Sequence, residues 1–198
     1  MPKLDDLKDR LRPGQVYRRA DLARWTTAVD RHLRQLVEAG DLVKLSGGLY
    51  RTPRKTRFGD APAEPAKLVA SFLKDDRFLM VSPNAYNALG VGTTQLYNET
   101  VVYNHKRHGR FVLDGRLFDF RMKPSFPKAV SREFLLVDLV NNIGRLGENE
   151  DDLLRSVEAR AKEMDLRSLR KAVRDYGGVR AKRLLASLFE SSDQREAA

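Results

Sequence analysis

Hydrophobic residues in the first 25 positions recur with the period of a helix. Leu4, Leu7 and Leu11 predict a first helix, which Pro13-Gly14 ends because proline cannot continue a helix and glycine tolerates the turn. Apolar residues over 18–25 then predict a second short helix. The chain therefore begins with two short helices joined by a turn.

The third predicted helix, over 28–39, has two chemically different faces. Thr27 is its predicted N-cap, because a threonine hydroxyl can accept a hydrogen bond from a backbone N–H of the first turn. At about 100° per residue, one sector holds four aliphatic residues: Val29, Leu33, Leu36 and Val37. The opposite side holds four polar residues: Thr27, Arg31, Arg34 and Gln35. One face can pack while the other reaches outward.

A hairpin is predicted directly after this helix. Gly40 ends the helix, and two short apolar runs, 42–45 and 49–51, flank the Gly47-Gly48 turn. Helix, turn, helix and hairpin in this order predict a winged helix-turn-helix domain over 1–57.

Positive charge is concentrated in the same segment. Residues 1–57 contain fourteen Lys/Arg against seven Asp/Glu, whereas the whole chain of 198 residues has a net charge of +10. Clustered cations on a winged helix favour DNA binding, although a solvated helix face is the alternative for any one of these side chains.

The predicted DNA contacts follow from groove chemistry. A helix fits the major groove, where arginine pairs with guanine and glutamine with adenine. We therefore expect Arg31 and Arg34 to read bases, Gln35 to read adenine, and Thr27 to contact bases or backbone. The expected phosphate contacts are seven other cations of the segment: Arg18, Arg19, Lys44, Arg51, Arg54, Lys55 and Arg57.

The rest of the chain predicts an α+β domain. Residues 58–65 are rich in proline and form a predicted linker, in which Phe58 suggests docking against the protein. The domain over 66–192 contains strand-like runs between 100 and 121, predicted as an antiparallel meander with an Asp114-Gly115 hairpin turn. Helical spacing returns from 131 onward, and 193–198 are expected to be frayed.

Composition excludes several classes of site. There is no cysteine, so disulfides and thiolate metal sites are excluded, and the three histidines are not clustered as metal ligands. No run of about 20 apolar residues could cross a bilayer and the first residues lack a secretion signal, so we expect a cytoplasmic protein without membrane contact. We expect no metal and no cofactor.

Two other functions remain open at this stage. Asp114, Asp119 and Lys123 resemble in type the acidic and lysine cluster of metal-dependent nucleases, so the chain could be a nucleic-acid-processing enzyme with a winged helix for targeting. Cations recur in the predicted C-terminal helices, so it could instead be an RNA-binding accessory protein. We nevertheless expect a protein that is not an enzyme.

Particular stretches of the chain also resemble the AbiEi-type antitoxins of bacterial type IV toxin-antitoxin systems. The similarity is carried by LSGGLY at 45–50, VSPNAYNALGVGTTQ at 81–95, residues 111–121, LLVDLVNN at 135–142 and the leucine-rich basic helix after Tyr176. The stretch at 81–95 is the distinctive part, because winged helices occur in many unrelated regulators.

This resemblance implies a repressor that is also an antitoxin. Members of the family bind inverted repeats in their own promoter through the N-terminal domain, so a homodimer on double-stranded DNA is expected. The operon would also encode a nucleotidyltransferase-like toxin, which the antitoxin counteracts through its second domain without a stable complex. The toxin's own nucleotidyltransferase signature is not found in this chain.

Overall fold

The computed structural model of the protein describes residues 4–92 and 95–196. It contains both helices and sheets, which confirms the α+β class. The contacts divide the chain into two compact units. The first unit consists of Met1–Phe78 with Arg110–Phe118, and the second of Leu79–Gly109 with Asp119–Ala198. The predicted division at residue 57 differs from this one, because the α-helix after the predicted linker and a later strand both belong to the first unit.

The helices of the first unit are α1 (Leu4–Lys8), α2 (Arg19–Leu22), α3 (Val29–Glu38) and α4 (Pro65–Leu73). Its first five strands are β1 (Val16–Arg18), β2 (Val43–Ser46), β3 (Leu49–Arg51), β4 (Lys55–Thr56) and β5 (Gly59–Asp60). Strand β3 pairs antiparallel with both β1 and β2, giving the order β1-β3-β2. Strands β4 and β5 form a separate antiparallel hairpin.

An aliphatic core holds α1, α2 and α3 together. Leu7, Leu22, Leu33, Leu36 and Leu42 are buried in one cluster, against which Trp25 packs. Burying a leucine side chain contributes about 1.5 to 3 kcal/mol, so this cluster supplies much of the stability of the segment. The predicted inward face of α3 is therefore confirmed.

The start of α3 differs from the prediction. The N-cap residue is Ala28, and Thr27 is exposed and makes no capping hydrogen bond. Thr26 takes the local role instead: its Oγ1 accepts from the Ala28 amide at 3.2 Å and lies 2.9 Å from Nδ1 of the buried His32. His32 belongs to α3, so the Thr26 hydroxyl connects the residue before the predicted cap to the helix, and the N-cap lies one residue later than predicted.

The predicted linker 58–65 is part of the first unit. Ala63 is buried and its amide donates to Oδ2 of Asp114 at 2.6 Å, while Oδ1 of Asp60 accepts from the Arg54 amide at 2.9 Å. Phe58, which suggested docking, is instead 86% exposed. Polar contacts around Asp60 and Asp114 therefore hold this segment, not its aromatic residue.

Arg51 is the centre of those contacts. Its side chain is buried, with Nη2 2.6 Å from Oδ2 of Asp60 and Nε 3.0 Å from Oδ1 of Asp114. The hydrogen bonds that it donates to Asp60, followed by those to Asp114, raise the pKa of the guanidinium further above its ordinary value. The role of Arg51 is structural, because it neutralises two carboxylates inside the first unit.

The remaining strands form a four-stranded sheet. They are β6 (Phe78–Val81), β7 (Glu99–Asn104), β8 (Gly109–Leu113) and β9 (Arg116–Met122), in the order β6-β7-β9-β8. Asp114 and Gly115 both have positive φ, as a two-residue hairpin turn requires, which confirms that prediction. A simple meander is wrong, however, because β9 lies between β7 and β8.

The second unit is mainly helical. It contains a 3₁₀ helix at Pro83–Leu89, then α5 (Arg132–Asn142), α6 (Glu150–Lys162), α7 (Leu166–Tyr176) and α8 (Val179–Glu196), with a short 3₁₀ turn at Ile143–Arg145. Seven consecutive residues of α5, 134–140, are buried. The predicted frayed end, 193–198, is helical through Glu196, and 197–198 lie outside the described residues.

Asp138 is a carboxylate inside this helical core, only 3% exposed. Its Oδ1 accepts from the Tyr103 hydroxyl at 2.5 Å and its Oδ2 from the Tyr86 hydroxyl at 2.7 Å. The Asn142 amide donates to Oδ1 at 3.1 Å and to the backbone oxygen of Asp138 at 2.7 Å. Burial raises the pKa of Asp138, although both tyrosine hydrogen bonds oppose that shift.

The raised pKa of Asp138 gives the second unit a definite pH dependence. The folded state binds the Asp138 proton more tightly than the unfolded state, in which an aspartate has a pKa of about 3.9. The contribution of this proton to the free energy of unfolding is therefore complete below about pH 4 and is lost as pH rises through the pKa of the folded state. The free energy of unfolding of the wild type relative to Asp138→Asn should therefore fall as pH rises above about 4. Denaturant unfolding of both proteins at several pH values measures this difference in free energy.

Asp165→Asn is the matched control for this experiment. Asp165 caps α7 by accepting from the Ser168 amide at 2.8 Å, and hydrogen bonds from the Ser168 side chain, followed by that from its amide, lower the pKa of Asp165. The ionised form of Asp165 stabilises the fold above the unfolded-state pKa, and this stabilisation is lost as pH falls. The free energy of unfolding of the wild type relative to Asp165→Asn should therefore rise with pH, opposite to the trend for Asp138→Asn. The same slope for both variants would contradict the assignment.

Arg51→Ala should destabilise the first unit strongly. It leaves the side chain of Asp114 without its ion-pair partner, and breaking such a buried pair costs about 3 kcal/mol or more. Arg57→Ala removes an exposed cation from the same stretch of chain and should change the free energy of unfolding by less than about 0.5 kcal/mol. Denaturant unfolding measures the free energy of unfolding of both variants. Equal and small decreases for the two would show that Arg51 has no structural role.

Candidate nucleic-acid interface

The outer face of α3 presents three polar side chains to solvent. Arg31, Arg34 and Gln35 are exposed, whereas Val29, Leu33 and Leu36 on the opposite side are buried. The helical period alone produces this division, because burial of the aliphatic residues leaves the others no inward position. The predicted outward direction of the two arginines is confirmed.

Arg31 and Arg34 keep their guanidinium groups available. Across the described residues 4–92 and 95–196, neither forms an ion pair within 4 Å or a side-chain hydrogen bond. Both groups lie on one helix three residues apart, so they are neighbours on its surface. Each can still donate two parallel hydrogen bonds to a planar acceptor.

Arg18 and Arg19 begin α2 and have partners of their own. Arg18 is half-buried; its amide donates to Oδ2 of Asp21 at 3.1 Å, completing a cap at the start of α2. Arg19 forms a two-pronged ion pair with Asp30 in the first turn of α3, at 2.6 and 2.7 Å. The Arg18 guanidinium also lies near Asp21, with Nε 3.8 Å from Oδ2, so both arginines remain phosphate candidates only through exchange of these carboxylate partners.

The turn between β2 and β3 lies next to the start of α2. The amide of Arg19 donates to the carbonyl of Gly48 at 2.8 Å, and Gly48 has a φ of +71°. A Cβ on Gly48 would meet the Arg19 Cβ at 3.8 Å, which is ordinary contact, so its positive φ is what favours glycine here. Lys44 on β2 is exposed near the same hairpin.

Of the cations after the hairpin, Arg51 is a correction to the prediction. It is buried and held by Asp60 and Asp114, so its guanidinium is not available to a phosphate. Arg54, Lys55 and Arg57 are exposed on or near the β4–β5 hairpin. The Arg57 guanidinium lies over the Phe58 ring, 4.6 Å from its centroid.

The nuclease alternative gains no support. Asp114 is bound by Arg51 and the Ala63 amide, and Asp119 is bound by Arg121 through Nε at 2.8 Å and Nη2 at 2.7 Å. Within the described part of the chain, no three His, Cys, Asp or Glu side chains are grouped to hold a metal ion. The ammonium of Lys123 lies 5.8 Å from the centre of the Tyr103 ring.

Basic residues of the C-terminal helices have mixed environments. Arg174 pairs with Asp175 at 2.9 Å and Arg180 pairs with Glu150 at 2.6 Å, whereas Arg167, Lys171, Lys182 and Arg183 are exposed. They lie on outward faces of α7 and α8, whose apolar faces carry the buried residues Leu169, Val173 and Leu185. This pattern suits a solvated surface.

Residues of the stretch 81–95 have structural roles in the second unit. Ser82 caps the 3₁₀ helix by accepting from the Asn84 amide, and Asn84 exchanges two hydrogen bonds with the backbone of Tyr97, at 2.8 and 3.0 Å. Tyr86 reaches Asp138 of the 135–142 stretch. Thr93 and Thr94 lie outside the described residues.

Sequence reasoning did not identify three of the side chains that organise this interface. Thr26 and His32 fix the start of α3, and Asp30 orients Arg19. The spacing of Asp30 four residues before Arg34 was a visible signal of a charged pair on one face. Its contact with Arg19 depends on how α2 packs, which no spacing rule gives.

No helix of the described residues is long and apolar enough to cross a bilayer.

Comparison with models of known protein families gives no match, and comparison with curated proteins gives none. Among solved structures, the crystal structure of the RV2827C protein from Mycobacterium tuberculosis is similar, with a TM-score of 0.56 and 19% sequence identity. The similarity covers 93% of this chain and 75% of that one, and at this identity it concerns the fold alone.

Proposed function

We propose that the protein is a sequence-specific DNA-binding transcriptional repressor whose residues 4–51 form a winged helix-turn-helix. In this proposal α2 and α3 are the helix-turn-helix, α3 is the recognition helix, and the β2–β3 hairpin is the wing. The order α1, β1, α2, α3, β2, β3 and the pairing of β1 with β3 are consistent with that architecture.

The outer face of α3 is the observation that carries the proposal. Two guanidinium groups, which form no ion pair with any described residue, and a carboxamide face solvent together, on a helix whose other side is fixed by a buried aliphatic core. Arg31 and Arg34 can each pair with O6 and N7 of guanine, and Gln35 can pair with adenine. Such contacts specify sequence because each base pair presents its own pattern of donors and acceptors in the major groove.

Cations around this face supply the affinity that does not depend on sequence. Lys44 on the hairpin and Arg18 and Arg19 at the start of α2 are the proposed phosphate contacts, with Thr27 beside them. Arg54, Lys55 and Arg57 extend the positive surface. Neutralising phosphates releases counterions, so binding should weaken steeply with salt.

We further propose that the repressor is the antitoxin of a type IV toxin-antitoxin system. This part depends on the AbiEi resemblance, which implies autoregulation through inverted repeats, a homodimer on DNA, and action in the cytoplasm against a nucleotidyltransferase-like toxin without a stable complex. The second unit would confer protection, since residues of the resembling stretches, among them Val81, Tyr86, Leu89 and Leu136, lie in its core.

Arg31→Ala and Arg34→Ala should each lower the affinity for the duplex upstream of its own coding sequence by about 1 to 3 kcal/mol. Affinity for random duplex of equal length should fall much less, because the lost contacts are to bases. Lys44→Ala is the control, since it should weaken both duplexes alike. Fluorescence anisotropy titrations measure both; equal losses on the two duplexes for the arginine variants would refute base reading.

The antitoxin part is tested in cells. If a neighbouring nucleotidyltransferase gene is toxic when expressed alone, co-expression of this chain should restore growth, and Arg31→Ala with Arg34→Ala should still restore it because protection resides in the second unit. Co-purification of the two proteins should fail. Unrelieved toxicity at equal expression levels would leave DNA binding standing and remove the antitoxin role.

A further inference from the structure

An exposed ion pair joins α2 to the first turn of α3. Nε of Arg19 donates to Oδ1 of Asp30 at 2.7 Å, and Nη2 donates to Oδ2 at 2.6 Å. This is the parallel, two-pronged geometry that a guanidinium and a carboxylate favour. The two side chains are 49% and 69% exposed, so the pair lies at the surface and can be exchanged for other partners.

The surroundings of the pair connect it to the candidate interface. Asp30 lies one helical turn before Arg34, whose charge helps to lower the pKa of Asp30 after the larger effect of the hydrogen bonds from Arg19. The backbone of Arg19 is fixed in turn by its hydrogen bond to Gly48 of the hairpin. An ionised carboxylate therefore lies beside two of the cations that the proposed function assigns to DNA.

A carboxylate in this position opposes binding to any phosphate backbone. It accepts from Nε and Nη2 of Arg19, the parallel pair of donors that a phosphate would also use, and its own charge repels phosphates. For a helix that only needed affinity, an uncharged residue would serve better here. Discrimination improves when such a penalty falls mainly on unrelated DNA, because specificity is the difference between two binding free energies.

We propose that Asp30 is a specificity-determining residue of this DNA-binding surface. Its carboxylate withholds Arg19 from the phosphates of unrelated DNA, so that tight binding requires the base contacts of Arg31 and Arg34. The inference rests on the proposed function and adds to it the residue that sets the ratio between specific and random binding.

A simpler role for Asp30 is to stabilise α3, since an acidic residue in a first turn interacts favourably with the helix dipole. The two roles differ in what they change. Helix stabilisation alters the melting temperature and acts equally on all DNA, whereas withholding Arg19 alters the dependence of random binding on salt.

Asp30→Asn in the whole chain tests the proposal, with Glu38→Gln as matched control. Both variants remove one negative charge from an exposed position of α3, but Glu38 lies at the opposite end of the helix. Each is titrated with random-sequence duplex and with the duplex upstream of its own coding sequence, over a series of salt concentrations. Circular dichroism melting shows whether each variant is folded.

Asp30→Asn should bind random duplex about five- to tenfold more tightly near 0.1 M salt, with a log–log salt slope steeper by about 0.9, the value for one added phosphate contact. Affinity for the upstream duplex should rise less, so the specificity ratio should fall. Glu38→Gln should change neither affinity more than about twofold, since its charge is remote from Arg19. In an Arg19→Ala background, Asp30→Asn should no longer steepen the slope.

Three results would overturn the inference while leaving DNA binding intact: a random-DNA gain no larger than that of Glu38→Gln, an unchanged specificity ratio, or a steeper slope that persists without Arg19. Salt-independent or undetectable binding of the wild type to both duplexes would instead overturn the proposed function, and the inference with it.

Discussion

Burial of one side of α3 is the constraint on which the first unit depends. Val29, Leu33 and Leu36 enter a core that already contains Leu7 and Leu22, and a helix of ten residues has no second way to bury them. Because the helix cannot rotate without exposing aliphatic surface, its outer residues hold a fixed direction. The orientation of this outer face thus comes from hydrophobic packing and not from contacts among the polar groups.

Sequence periodicity was sufficient for this part because the relevant information is local. The two faces of α3, the glycine turn of the β2–β3 hairpin and the Asp114-Gly115 turn all follow from residues a few positions apart. The cap was assigned to Thr27 but lies at Ala28, and the hydroxyl that accepts from the Ala28 amide is that of Thr26, which also contacts His32 once the helix has formed. Rules for local structure identify residues that can form a capping hydrogen bond, but they do not determine which of these bonds forms in the folded protein.

Arg51 shows where such reasoning ends. By composition it belonged with the exposed cations around it, but its carboxylate partners are nine and 63 positions away, at Asp60 and Asp114. Contacts between residues far apart in sequence also decide the strand order β7-β9-β8 and the extent of the first unit. Both differ from expectation because local spacing gives no information about such contacts. Charge and spacing predicted a set of cations that could contact DNA, whereas the long-range fold determines which of these side chains are exposed.

Helix α5 has a consequence for how the second unit comes apart. Its buried stretch of seven residues has no side turned to water, and its only ionisable member there, Asp138, is satisfied by hydroxyls from Tyr86 and Tyr103 on other segments. The helix cannot separate from its neighbours without losing both its apolar surroundings and these donors at once. Opening of this unit should therefore be cooperative, with amide protons of α5 among the slowest to exchange with solvent.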